Sequence, residues 1–337
     1  MKILVTGGAG YIGSHTIIDI LENTDYDVIS IDNYSNSDGS AYDSIERITG
    51  KTIKMYNVDL TDLRETKRVF DFNPDIIGVI HFAAHKSVNE SVDDPLTYYH
   101  NNINSTINVL KCLNEFNVPY LIFSSSCSVY GNIQQLPVSE DTPMNTIESP
   151  YAYTKQICEN MINNFVQSNS DIKAISLRYF NPVGAHKSGL NGERSSDQPN
   201  NLVPYITQTA IGKLDKLTIF GGDYDTPDGT CIRDYVHVCD IASAHIQAIK
   251  KISSQTFPNY SIINLGTGTG YSVLEIIDAF KRVSDINLKY TIGPRRAGDI
   301  KSIYADNTKA KTVLQWSPQY NIDDIMLSAW MWQKNNS

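Results

Sequence analysis

Lys2-Ile3-Leu4-Val5-Thr6 is an apolar run that reads as a buried strand, and Gly7-Gly8-Ala9-Gly10-Tyr11-Ile12-Gly13 follows it at once, ahead of an apolar-periodic segment to about Leu21. The order is strand, glycine turn, helix. Gly7, Gly10 and Gly13 give G-x-x-G-x-x-G, a spacing that lets the backbone turn sharply and approach a pyrophosphate whose charge rests on the helix N-terminus. The next strand, Asp27 to Ile31, ends in Asp32, 25 residues after the first glycine, where a carboxylate takes the adenosine ribose hydroxyls. Asp32 repels a 2′-phosphate, and no Arg or Lys occurs from Asn33 to Tyr42 to neutralise one, so NAD is favoured over NADP.

Beyond Asp32, strands and helices alternate. Strands are expected near Thr52 to Asn57, Ile76 to Phe82, Tyr120 to Ser125 and Lys173 to Arg178, with helices at Asp62 to Phe72, Pro95 to Phe116 and Pro150 to about Ser168. That alternation predicts an α/β fold, a Rossmann-like doubly wound parallel sheet with right-handed crossovers. The polar stretch Gly184 to Asn200 breaks the pattern and leads to a smaller α/β region. There, helices near Leu202 to Leu214, Ile241 to Ile252, Val273 to Val283 and Ile322 to Gln333 mix with strands near Leu217 to Phe220 and Ser261 to Leu265. The expected division is residues 1–180 for the nucleotide and 181–337 for its partner ligand, consistent with about two domains for a chain of 337 residues.

A net charge of −9 argues against a general nucleic-acid or membrane-surface role, since either favours a basic face. No apolar run reaches the length of a membrane span, and a strand from Lys2 leaves no room for a signal peptide, so a cytoplasmic location is expected. Cys112, Cys127, Cys158, Cys231 and Cys239 are odd in number and lack C-x-x-C spacing, and the 7 histidines are scattered, so neither a disulfide framework nor a metal site is expected.

Ligands of such sheets lie over the carboxyl ends of the strands. Three groups fall there: His81-Phe82-Ala83-Ala84, Ser124-Ser125-Ser126 and Tyr179-Phe180-Asn181-Pro182. Ser149 is a good N-cap and Pro150 suits the first helical position, which puts Tyr151 and Lys155 on one face. An adjacent ammonium and the positive end of the helix both favour a phenolate, making Tyr151 a base near neutrality. Taken alone, Tyr and Lys at this spacing also occur on ordinary solvated faces, and a serine run is often only a turn. Beside the glycine loop, Ser126, Tyr151 and Lys155 fit a hydride-transfer site.

This constellation resembles the extended short-chain dehydrogenase/reductase superfamily. The blocks TGGAGYIGSH from Thr6, HFAA-x-K-x-V-x-ES from His81, YY-x-NN from Tyr98, FSSS-x-x-VYG, SPY-x-x-x-K, LRYFNPVGAH, PNNL-x-PYI, FG-x-DY-x-T-x-DGT, RDY-x-HV and PRR-x-GD are similar to those of the UDP-glucose (UDP-galactose) 4-epimerase family, in order, from Met1 to about Tyr304. The resemblance implies Tyr151 as base, Lys155 as its electrostatic partner and ribose ligand, and Ser126 as the hydroxyl assisting at sugar O4. Around NAD it implies Gly7, Gly10, Tyr11, Ile12, Gly13, Asp32, Asn33, Asp59, Leu60, Phe82, Ala83, Lys86, Asn101, Ser124 and Tyr179. For the UDP-hexose it implies Asn181, Asn201, Leu202, Phe220, Arg233, Tyr235, Arg296 and Asp299. Arg233 and Arg296 offer the bidentate cations that a diphosphate needs on an acidic protein.

Departures from the family pattern are His85, Cys127 and Tyr153. The implied activity is C4 epimerisation of UDP-glucose and UDP-galactose through a 4-keto sugar, the alternative being a UDP-N-acetylglucosamine or dual-specificity enzyme. In this family the residue four after the Asp of PRR-x-GD helps gate the sugar 2-position; here it is Ile303, intermediate in size. A 4,6-dehydratase needs Asp-Glu after the serine, whereas this chain has Cys127-Ser128. A net oxidoreductase and a non-catalytic NAD-sensing module are the other readings. The resemblance also implies a homodimer through the helices from Pro95 and Pro150, and Ile103, Ile107, Leu110 and Leu113 form an apolar stripe at helical spacing that either serves it or packs on the sheet.

Overall fold

Runs such as KILVT and IIGVIH carry apolar side chains on both faces, the pattern of strands covered by helices on either side. In a computed structural model, which describes residues 1–194, 199, 201–296 and 299–336, they form the middle of one parallel sheet. The elements run β1 (Lys2–Thr6), α1 (Tyr11–Asn23), β2 (Asp27–Asp32), α2 (Ser40–Thr49), β3 (Lys54–Asn57), α3 (Leu63–Asp71), β4 (Ile76–His81), α4 (Val88–Asp93), α5 (Pro95–Glu115), β5 (Tyr120–Ser126), α6 (Pro150–Ser168) and β6 (Lys173–Tyr179). The later half runs β7 (Asn181–Val183), α7 (Leu202–Ala210), β8 (Leu217–Phe220), β9 (Ile232–Arg233), β10 (Tyr235–His237), α8 (Val238–Ile252), β11 (Tyr260–Leu265), β12 (Tyr271–Ser272), α9 (Val273–Ser284), β13 (Tyr290–Gly293), β14 (Ser302–Ile303) and α10 (Ile322–Asn335).

The 7-stranded sheet has the order β11-β6-β5-β4-β1-β2-β3. The order reverses direction beside β1, opening the crevice where such sheets bind nucleotides. One core, with Ile17, Ile18, Ile241 and Ile249, packs α1 and α8 on one face; a second, with Val109, Leu113, Ile162 and Val166, packs α5 and α6 on the other. A third core joins α7, α9 and α10 through Ile206, Phe280, Met326 and Trp330. Each fully buried Leu, Ile or Phe contributes about 1.5–3 kcal/mol relative to exposure.

Local chemistry sets the helix starts. Ser149 accepts the amide of Ala152 at 3.2 Å with Pro150 in the first turn, as the sequence predicts, and Asp94 with Pro95 begins α5 likewise. Asp62 caps α3, so that helix starts at Leu63 rather than at Asp62 itself. The helix from Leu202 is shorter than expected and stops at Ala210, its end passing into a turn at Gly212, whose φ is +83°. Helices α2 and α4 and the short strands β7, β9, β10, β12, β13 and β14 are not anticipated by the periodicity. Strand β11, expected in the second region, pairs with β6 and completes the edge of the main sheet, while α8 packs against α1. Among the stripe residues, Leu110 and Leu113 are buried in the second core, so that part of the stripe faces the sheet.

Candidate active site

The glycine turn shows why side chains are excluded. Gly7 has φ +71°, and a Cβ there would lie 2.8 Å from the amide nitrogen of Ala83; a Cβ on Gly13 would lie 2.2 Å from the carbonyl oxygen of Gly7. Gly10 stands at the N-cap of α1 and offers no side-chain cap, leaving the first amides of the helix to an anion. Beside this turn is a cavity of about 110 Å³ lined by Gly7, Asp32, Asn33, Asp59, Leu60, Phe82, Ala83 and Asn101, together with Ser35, Asn36, Ser37 and Ser105, which the sequence reading did not single out.

Asp32 accepts hydrogen bonds from the amides of Ala9 (3.0 Å) and Tyr34 (2.9 Å) and from Ser37 Oγ (2.9 Å). These aim the carboxylate from the end of β2 into the turn, with acceptor capacity left over. Burial alone would raise Asp59, but hydrogen bonds from Thr61 and Asn33 outweigh it and hold the carboxyl below its ordinary value. A glycine turn without room for side chains, uncapped amides and a carboxylate lining the cavity beside them fit the adenosine and pyrophosphate of NAD. Tyr11 instead donates to Gly184 O at 2.6 Å, tying the loop to the chain after β7, and Ile12 packs against the first core.

The second group gathers where β5 and β6 end and α6 begins. Lys155 Nζ, on a residue 4% exposed, donates to Ser124 O at 2.7 Å and lies 4.9 Å from the Phe123 ring and 6.0 Å from that of Tyr151. Burial lowers Lys155 to about 8, opposed by Cys158 and Glu159. The nearby Ser126 hydroxyl favours the Tyr151 phenolate, yet burial pushes the phenol up to about 12. The expected depression by Lys155 does not govern here: desolvation outweighs the Ser126 hydroxyl, and Cys127 adds to the rise. Ser126 Oγ receives the amide (3.2 Å) and hydroxyl (2.9 Å) of Ser128, so the residues following Ser126 hold the serine and carry no carboxylates. Tyr179 contacts Ser124 and His245, its hydroxyl 2.7 Å from His245 Nε2, and is raised by burial.

The third group is cationic. Arg296 donates to Asp299 through Nε (2.9 Å) and Nη2 (3.3 Å) and stacks over Phe220 at 5.0 Å, while Arg233 Nη2 lies 3.7 Å from the same carboxylate. Arg233 also opposes the burial that lifts the Cys127 thiol to about 12, so its field reaches the residue after Ser126. Tyr235 is buried beside Arg233, and Asn181 N donates to Asp234 O at 2.8 Å. Ile303 pairs in register with Arg233 and is 3% exposed. Asn201 caps the start of α7 without a side-chain bond to it, followed by the half-buried Leu202. The Glu193 carboxylate accepts from both Lys86 (3.4 Å) and Asn201 (2.8 Å), joining one residue expected at the cofactor to one expected at the sugar nucleotide. Asn200 of PNNL and Gly298 of PRR-x-GD lie outside the described residues.

Reasoning from sequence missed Asn102, whose side chain bonds the amide (2.8 Å) and carbonyl (3.0 Å) of His85 and Thr154 Oγ1 (3.0 Å), and it missed a buried Ser125, Glu159 and Arg178 cluster. An arginine inside the apolar strand KAISLRY was the available signal for the latter.

Residues 4–328 match the family model of GDP-mannose 4,6 dehydratase. The UDP-glucose 4-epimerase of Bacillus subtilis is 44% identical over 336 residues, covering 100% of this chain and 98% of its own; that of Dictyostelium discoideum is 46% identical, covering 99% and 96%. The chain belongs to the UDP-glucose 4-epimerase family. A crystal structure of UDP-glucose 4-epimerase from Bifidobacterium longum in complex with NAD+ and UDP superposes with a TM-score of 0.95 at 46% identity, covering 100% of this chain and 99% of that one. Membership of the UDP-glucose 4-epimerase family accounts for a dinucleotide-type turn on the main sheet and a cationic cluster beside the small β12-β9-β14 sheet. Among the described residues no helix is long and apolar enough to cross a membrane.

Proposed function

We propose that the chain interconverts UDP-glucose and UDP-galactose by inversion at C4, with tightly held NAD. The observation that carries the reading is the convergence of Tyr151, Lys155, Ser124 and Ser126 where β5 ends and α6 begins, with the charge of Arg233 reaching the adjacent Cys127.

Gly7, Gly10, Gly13 and Asp32 hold the adenosine diphosphate half of NAD, with Asn33, Asp59, Leu60, Phe82, Ala83 and Asn101 lining its cavity. When bound, NAD supplies a reversible hydride acceptor and a positive charge that favours phenolate. Tyr151 Oη takes the proton of the sugar 4-hydroxyl, Ser126 Oγ hydrogen-bonds the same oxygen, and the Lys155 ammonium stabilises the phenolate. Arg233 and Arg296 exchange part of their pairing with Asp299 for the diphosphate. Binding energy spent on the UDP part leaves the 4-keto hexose free to turn and present its other face, after which Tyr151 returns the proton. Ser128 occupies Ser126 where a dehydratase needs an acid and a base, which favours epimerisation over dehydration.

The reading assigns residues 1–180 to the cofactor and 181–337 chiefly to the sugar nucleotide, with α8 and β11 returned to the first sheet. It includes a homodimer through α5 and α6, supported by Leu96 and Tyr153, which are 76% and 45% exposed there. A cytoplasmic location is supported by five free cysteines. Purified protein incubated with UDP-galactose and no added cofactor is expected to yield UDP-glucose. Binding without turnover would leave a non-catalytic module, and stoichiometric reduction of added NAD with no UDP-glucose formed would favour a net oxidoreductase.

A further inference from the structure

Behind the reacting groups, three buried side chains that the proposed reaction does not use tie together the elements that carry it. Tyr151, Lys155 and Glu159 recur at every fourth position of α6 and share a face. The Glu159 carboxylate accepts from Ser125 Oγ at 2.6 Å, Arg178 Nε at 2.9 Å and Arg178 Nη2 at 2.6 Å. Ser125 and Arg178 are direct neighbours in the β5–β6 register. Since side chains alternate along a strand, Ser125 turns toward α6 and its neighbours Ser124 and Ser126 turn away. The Arg178 guanidinium also lies 4.7 Å over the ring of Tyr130, which ends the short 3₁₀ turn begun at Ser126, and the Tyr130 hydroxyl continues to Asn264 on β11 at 2.7 Å. One network therefore holds the helix bearing Tyr151 and Lys155 and the turn bearing Ser126.

A buried ion pair adds little net stability over apolar residues of the same volume. What this one supplies is a fixed geometry and a fixed charge. We propose that Glu159 and Arg178, joined by Ser125, are positioning residues: they set α6 against the ends of β5 and β6 so that Tyr151 and Lys155 face Ser124 and Ser126, and the Glu159 carboxylate, one turn along α6 from Lys155, favours its ammonium. This rests on the epimerase reading. The titratable groups facing Lys155 are Tyr151, Cys158 and Glu159 on its own helix and His81 from β4, with Arg178 from β6 behind Glu159. Glu159 is the one carboxylate of that set. Burial holds His81 at about 3, hence neutral, and raises the Cys158 thiol.

The test compares wild type, Glu159→Gln and Glu159→Asp with UDP-galactose across the neutral to alkaline range. Lys155 is lowered to about 8, so its ammonium is present below that value and lost as pH rises through it. Removing the carboxylate lowers Lys155 further. Glu159→Gln is expected to lose roughly 10–100-fold in kcat with UDP binding unchanged, and its alkaline limb is expected to move about one pH unit lower. Glu159→Asp keeps the charge and is expected to restore the limb. Wild-type kcat and limb in Glu159→Gln overturn the proposal, as does equal loss in both variants with the limb unmoved. If Glu159→Gln does not fold, the double variant Glu159→Gln with Arg178→Met is read on kcat and UDP binding alone, because loss of the cation offsets loss of the carboxylate at Lys155; wild-type kcat there overturns the proposal. Failure of both to fold makes the pair architectural and the proposal wrong. Absence of turnover in wild type would instead sink the epimerase reading.

Discussion

Tyr151 sits where burial opposes the very charge its proposed role needs, its phenol pushed up to about 12. Tyr151→Phe keeps the ring and removes the proton acceptor, so turnover is expected to fall by roughly 10²–10⁴-fold with UDP affinity retained. Near-normal turnover measured with UDP-galactose would remove Tyr151 from the reaction. At Ile303 the argument is steric. Ile303→Ala is expected to raise the turnover of UDP-N-acetylglucosamine relative to UDP-glucose, and Ile303→Tyr to abolish the former while keeping the latter. Because Ile303 is 3% exposed, the larger ring should also cost about 1–3 kcal/mol of stability, readable as a lower Tm. Equal substrate ratios across the three proteins would assign the gate to another wall of the pocket.

At the scale of elements, the β1 to α1 turn makes the sharpest prediction. Gly13→Ala puts a methyl 2.2 Å from a backbone carbonyl that cannot swing aside, so the turn must open. The purified variant is expected to carry little NAD, measured by release on denaturation and chromatography. Gly39→Ala is the control, since a Cβ there meets nothing within 4 Å, and its effect should stay within about 0.5 kcal/mol. Asp32→Asn tests the other end of the same cavity. Loss of the carboxylate should weaken NAD retention and relax rejection of NADP, and unchanged occupancy by both cofactors would place the ribose elsewhere.

For the whole molecule, α5 and α6 present Leu96, Tyr99 and Tyr153 on one side, Tyr99 and Tyr153 meeting edge to face at 6.2 Å. Light scattering at micromolar concentration is expected to give twice 37.7 kDa, and Tyr153→Glu to shift the protein toward monomer. A monomeric wild type would end the dimer proposal.

Much of this architecture was legible in the chain itself, because local signals set it. Gly7 to Gly13, the apolar strands and the Ser149-Pro150 start of α6 act over a few residues, through sterics, capping and burial, and they yield the wound parallel sheet, the glycine turn and the placing of Tyr151 and Lys155 on one helix. Tertiary structure decided whatever depends on contacts between distant segments. It returned β11 to the edge beside β6 because edge pairing is not encoded in a strand's own pattern, and it turned Leu110 and Leu113 onto the sheet. It brought Arg233 to the local Arg296 and Asp299 pair, and Glu159 to Arg178, through packing that no spacing records. It also set the charge balance: neighbour charges read from sequence predict an acidified tyrosine, but burial depth exists only in three dimensions, and desolvation prevails at Tyr151.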